Sequence, residues 1–112
     1  MALRLVRLTV RWTVASDEAR RITDALHSLM TAARSERGYG GSSLSTEYGD
    51  RATLQYREDW VSEEDLARQI RSTRFSQLAE LIERASEVPQ VEFELPGAVR
   101  GLEYAEELRR RS

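Results

Sequence analysis

The sequence contains no cysteine and one histidine, His27. Without cysteine there can be no disulfide, thiolate zinc site, iron–sulfur cluster or thiol nucleophile. With a single histidine there can be no two-histidine metal motif of the H-E-x-x-H kind. A Ser–His–Asp triad would have to use His27, and no G-x-S-x-G elbow accompanies it. No apolar run approaches the ~20 residues needed to span a bilayer. The first eleven residues show neither an apolar stretch nor a cleavage site, so a cytoplasmic location is expected. A formal charge of −2 provides no basic excess to hold nucleic acid or an anionic membrane surface.

What is present is the composition of one globular domain. The 112 residues are 40% hydrophobic and 32% charged, too apolar for a disordered chain. One core is affordable at this length, two are not.

Residues 5–14 alternate with period two, placing Val6, Leu8, Val10, Trp12 and Val14 on one face. Arg7, Thr9 and Arg11 occupy the other, so the sheet should have one dry face and one polar face. Ser16 is a candidate N-cap, followed by Asp17 and Glu18, which suit a helix N-terminus. Ile22, Leu26, Leu29, Met30 and Ala33 then recur at helical spacing. His27 falls on the opposite, solvated stripe with Arg20, Asp24 and Arg34, and Gly38 is placed to stop the helix.

Residues 39–48 and 52–60 read as two strands joined by a short turn, a hairpin. The glycines of Gly38-Tyr39-Gly40-Gly41 follow a helix and enter a strand, the reverse of a phosphate loop, and suit a bulged strand entry. Ser62 with Glu63, Glu64 and Asp65 starts a helix, and Ser72-Thr73 interrupts and recaps it. Phe75, Leu78, Leu81, Ile82 and Ala85 form the next apolar stripe. Val91, Phe93 and Leu95 alternate with Glu92 and Glu94 as a fourth strand, Pro96-Gly97 turns the chain, and residues 102–111 form a tail helix.

The order β-α-β-β-α-β specifies an α+β, ferredoxin-like split βαβ fold: a four-stranded antiparallel sheet with helices on one face. Residues 1–95 form the domain and 96–112 a C-terminal extension. In this topology the first and fourth strands are neighbours, so Arg7 and Arg11 should pair with Glu92 and Glu94. Trp12, Tyr56 and Trp60 share the dry face, either as core or as the lining of an apolar pocket beneath the helices.

Two stretches carry a resemblance. One is Glu36-Arg37-Gly38-Tyr39, entering the second strand. The other runs from Tyr56-Arg57-Glu58-Asp59-Trp60 through Ser62 and Gln69 to Arg74-Phe75 and Leu78. Over residues 5–95 the chain resembles the antibiotic biosynthesis monooxygenase (ABM) domain family, in which a strand ending in Glu-x-Trp is followed by a capped helix and His-x-x-Ser-x-x-Phe. The resemblance implies a dimeric α+β barrel formed with a second copy of the chain, and cofactor-independent oxygenation of an aromatic or polycyclic quinol-like molecule. Trp60 and Phe75 match the family's aromatic positions. Gln69 stands where many members have histidine, and Arg74 where a second histidine is common. The chain has no asparagine, which several active members carry on the first strand. Haem ligation by the usual histidine is therefore not expected, and neither a cofactor nor a metal is called for.

The candidate substrate-binding residues are Trp12, Trp60 and Phe75 as walls, with Tyr56, Gln69 and Arg74 as polar groups that could stabilise a phenolate in a dry cavity. Solvent exposure on the second helix is the competing expectation for Gln69 and Arg74. The alternative reading is a non-catalytic dimeric barrel that binds a small molecule or serves a structural role. An isomerase or decarboxylase on the same barrel is a third, since fold does not fix function.

Overall fold

A computed structural model describes residues 5–111. Residues 1–4 and 112, ends of the expected domain and extension, lie outside the described residues. The elements are β1 (Val6–Val14), α1 (Ser16–Ala33), β2 (Tyr39–Tyr48), β3 (Ala52–Trp60), α2 (Glu63–Ile70), α3 (Thr73–Glu83), β4 (Gln90–Leu95), β5 (Ala98–Arg100) and α4 (Leu102–Arg110). The strands form one sheet in the order β2-β3-β1-β4-β5, antiparallel at every pairing. This is the α+β, ferredoxin-like arrangement with one strand more than the expected four. The extra strand β5 is three residues long and pairs with the end of β4 across the Pro96-Gly97 turn. So short a segment shows too little alternation to be read from sequence.

The dry face forms as the periodicity predicts. Val6, Leu8, Val10, Trp12 and Val14 are all at most 1% exposed, each such side chain contributing about 1.5–3 kcal/mol by burial. Register sets Val10 opposite Tyr56 and Trp12 opposite Leu54 on β3, and Leu8 opposite Phe93 on β4. The helices cover this face. Phe93 meets Tyr104 of α4 at 5.2 Å between ring centroids, so the tail helix also packs on the sheet. Burial, with the nearby Glu63 carboxylate, pushes the Tyr104 phenol up to about 12.

Two helix starts follow the serine signals. The hydroxyl of Ser62 accepts from the Asp65 amide at 3.1 Å, and that of Ser72 from the Phe75 amide at 3.2 Å. Each such cap is worth about 1 kcal/mol. At α1 the expectation is corrected: the cap position is Ala15, with no side-chain cap bond, and Ser16 is already helical. The helix also ends at Ala33, before Gly38. Gly38 instead makes the turn into β2 at φ +83°, and a Cβ there would lie 2.2 Å from the Asp65 side chain. The bulged entry is present as a register shift between Tyr39 and Gly41.

The other face of the sheet carries Arg7, Thr9, Arg11, Gln55, Arg57, Glu92 and Glu94, all exposed or half-buried. The expected ion pairs between β1 and β4 need correction. Arg7 lies opposite both Glu94 and Asp59, and its Nε donates to Asp59 Oδ1 at 2.8 Å. That hydrogen bond raises the Arg7 pKa above the ordinary guanidinium value. Asp59 wins because it is the shorter, better-held carboxylate, 7% exposed with Arg57 on its other side. Arg11 faces Gln55 and Gln90, so the register gives it no carboxylate.

Candidate functional site

Tyr56, Glu58 and Trp60 stand on alternate positions of β3 and therefore point to the same side, into the core. Glu58 is 1% exposed. A lone buried carboxylate would be prohibitively costly, so its partners define the local structure. Its Oε1 accepts from Trp60 Nε1 at 3.1 Å and Arg74 Nη2 at 3.0 Å. Its Oε2 accepts from Arg74 Nη1 at 2.8 Å and from the Tyr56 hydroxyl. Those four donors fill the acceptor positions of a carboxylate.

Arg74 reaches this carboxylate from the first turn of α3. Its Nε donates to Gln69 Oε1 at 3.3 Å, and Nη1 also reaches the Leu29 carbonyl at 3.4 Å. Its guanidinium lies 5.7 Å from the centre of the Trp60 ring, whose other neighbour is Tyr39, edge-on at 5.9 Å. Gln69 in turn donates to Glu36 Oε2 at 3.3 Å. A continuous polar network thus runs from exposed Glu36 to buried Tyr56.

Electrostatics fix the protonation of two members. Burial, reinforced by the negative charge of Glu58, pushes the Tyr56 phenol far above its usual range. Burial works against the Arg74 charge, but hydrogen bonding to Glu58 and its charge outweigh this and raise the Arg74 pKa. Tyr56 is therefore a neutral donor and Arg74 a permanent cation. With every Glu58 acceptor position filled, the cluster presents no free carboxylate oxygen.

The structure thus brings together four of the six sequence candidates: Tyr56, Trp60, Gln69 and Arg74. Gln69 and Arg74 are buried, not solvated on the helix surface. Trp12 lies apart from that hydrogen-bonded cluster, its Nε1 donating to the Leu81 carbonyl at 3.3 Å. Phe75 faces the tail helix, under the Arg109 guanidinium at 5.9 Å. Sequence reasoning missed Glu58 as the centre of the cluster. The signal was its parity, which places a charged residue on the dry face between Tyr56 and Trp60.

A groove of about 400 Å³ lies between α1 and α3. Its floor is apolar, from Ile22, Ala25, Leu29 and Leu81, and its rim carries exposed Arg21, Ser28, Gln77, Glu80 and Arg84. At one end Glu18 accepts from the Ser86 amide at 3.0 Å and the Ser86 hydroxyl at 2.7 Å. The amide bond, helped by the hydroxyl, holds the Glu18 carboxyl below its ordinary pKa. No group of His, Asp or Glu among the described residues could hold a metal ion, and no helix among them is long and apolar enough to cross a membrane.

Comparison with known proteins places the fold. No protein-family model matches the sequence, and no curated protein matches it. Solved structures do. A conserved protein from Methanosarcina mazei superposes with a TM-score of 0.71 at 19% identity, over 83% of this chain and 93% of that one. A Bacteroides thetaiotaomicron protein of unknown function, described as a possible oxidoreductase, gives 0.68 at 19% identity, over 89% and 99%. A Nitrosomonas europaea protein provisionally named an antibiotic biosynthesis monooxygenase gives 0.67 at 12% identity, over 90% and 92%. At these identities the likeness is one of fold, and it agrees with the ABM resemblance in the sequence.

Proposed function

We propose that this chain is a cofactor-independent oxygenase of the ABM type, acting on an electron-rich aromatic or quinol-like small molecule bound between α1 and α3. One observation carries the reading. Arg74 and Trp12, two of the sequence candidates, donate to the backbone carbonyls of Leu29 and Leu81, residues that line the two sides of the groove. The groove is therefore backed by buried, hydrogen-bonded side chains, which preorganise its walls. Tyr56, Trp60 and Gln69 support Arg74 in that position, and Phe75 anchors the start of α3.

The chemistry asked of such a site is modest. A phenol bearing a ring C–H takes one atom of O₂ at that carbon and becomes a quinone. The second oxygen atom leaves as water with the two hydrogens lost from the substrate. All the electrons come from the substrate, so no external reductant enters. The protein must hold the ring, exclude water and accept the phenolic proton. Glu80, on the rim, is a carboxylate with no side-chain hydrogen bond or ion pair among the described residues, and is positioned to take it. The uncovered sheet face is proposed to pair with that of a second copy, making the dimeric barrel.

A second reading is favoured by a specific observation. The acceptor positions of Glu58 are filled and Gln69 is an amide, so the buried cluster contains no general base. A small-molecule binding protein without catalysis would have this arrangement. Oxygen-electrode measurements with hydroxynaphthalenes and anthrone decide between them. The oxygenase consumes one O₂ per quinone formed, while binding without uptake across the panel favours the second reading.

A further inference from the structure

Two cross-links fix how α1 and α3 lie. Glu18, at the start of α1, is bonded to Ser86, just beyond α3, and Arg74, at the start of α3, to Leu29, near the end of α1. The helices are therefore antiparallel. This brings Arg21 and Arg84 to the same end of the groove, on opposite rims. Ser28 and Gln77 fall at the other end, and Glu80 between them.

The two arginines differ from those the structure engages in ion pairs. Arg7, Arg51, Arg57, Arg68, Arg74, Arg100 and Arg111 each make an ion pair. Arg21 and Arg84 make none among the described residues, and their side chains have no hydrogen bond there. Glu18 shares their end of the groove, but both its oxygens are engaged by Ser86. Glu80 lies one helical turn from Arg84 toward the centre and is not bridged to it. The result is an apolar slot with two guanidinium groups at one end, where the Ser86-bonded Glu18 carboxylate offsets part of the Arg21 charge, and neutral hydrogen-bonding groups at the other.

We propose that the ligand of this groove is a hydroxylated aromatic acid, its carboxylate held between Arg21 and Arg84 and its rings on Ile22, Leu29 and Leu81. The proposal rests on the reading of the groove as the substrate site and names the substrate class. Guanidinium groups match a carboxylate by paired N–H donors, which is the recognition that arginine, rather than a point charge, provides. A volume of about 400 Å³ lies in the range that small-molecule pockets occupy. Glu80 disfavours a second negative charge at mid-groove. The carboxylate is thereby directed to the arginine end and the neutral phenol to Glu80, Ser28 and Gln77.

The test is anaerobic calorimetric titration with two probes, 1,4-dihydroxynaphthalene and its 2-carboxylate, against the wild-type protein, Arg21→Gln and Arg84→Gln. The wild type is expected to bind the carboxylate about tenfold more tightly, a preference that shrinks as salt rises because the rim is exposed. Each variant should lose severalfold in affinity for the acid and keep its affinity for the neutral probe. Both arginines are exposed, and an unchanged melting temperature confirms that the fold is kept. Equal wild-type affinities, or a preference that survives both replacements, would overturn the proposal. Admitting air to the same samples, with oxygen uptake counted only above the protein-free autoxidation of each hydroquinone, separates the two ideas. Carboxylate preference without oxygen uptake sustains this inference and overturns the oxygenase reading. Uptake without preference does the reverse, and failure of both probes to bind overturns both.

Discussion

Arg74 and Glu58 form a two-pronged ion pair in the core, with side chains 7% and 1% exposed. Such a pair is a poor source of net stability but is costly to break on one side. Replacing Arg74 leaves Glu58 charged and buried with only Tyr56 and Trp60 as donors. Arg74→Met is expected to cost about 3–5 kcal/mol in urea unfolding. Adding Glu58→Gln removes the orphaned charge, so the double variant should be more stable than Arg74→Met. A double variant less stable than the single would show that the charge pairing does not govern this cluster.

Acid should loosen the groove at one end. The Ser86 bonds hold the folded pKa of Glu18 below its ordinary value of 4.5. Their contribution is therefore complete above about pH 4.5 and is lost as pH falls through the lower, folded value. The carboxylate is partly exposed, so the effect is local and small. Relative to the intrinsic exchange rate at each pH, exchange of the Ser86 amide should increase below pH 4 in the wild type. In Glu18→Gln that acid-dependent increase should be missing. An increase of the same size in the variant would assign it to another group.

The uncovered sheet face leads to a prediction of assembly. Arg7, Arg11, Arg57, Glu92 and Glu94 provide charges of both signs there, able to complement those of a second copy about a two-fold axis. Light scattering at micromolar concentration is expected to give twice 12.8 kDa. A mass of 12.8 kDa would leave that face open and contradict the dimeric barrel.

Much of the fold was legible because period-two and period-3.6 patterns are strong in this chain. The β1 alternation, the Ser62 and Ser72 caps and the solvated face of α1, with His27 exposed, all read directly from residue spacing. β5 was not legible, being too short to show a pattern. The cross-strand partner of Arg7 was missed for a different reason. Topology made Glu94 a neighbour, but Asp59 lies opposite on the other flanking strand, and register alone does not rank two carboxylates. The site was half legible. Four candidates converge because they sit on one strand face and the helix turns above it. Glu58, which joins them, was passed over because a charged residue in a strand is expected on the wet face, and only parity argued otherwise. The α1/α3 groove depends on how two distant helices approach each other, and no local pattern encodes that.

The groove itself can be tested by filling it. Ala25 lines it from α1 and is half-buried, with no hydrogen bond through its side chain. Ala25→Phe should occupy the space above Leu29 and Leu81 while leaving the Glu58–Arg74 cluster intact. With a hydroxynaphthalene that the wild type oxidises, oxygen uptake is expected to fall by at least about tenfold in the variant, with the melting temperature preserved. Uptake at the wild-type rate in Ala25→Phe would place the reaction elsewhere and contradict the account.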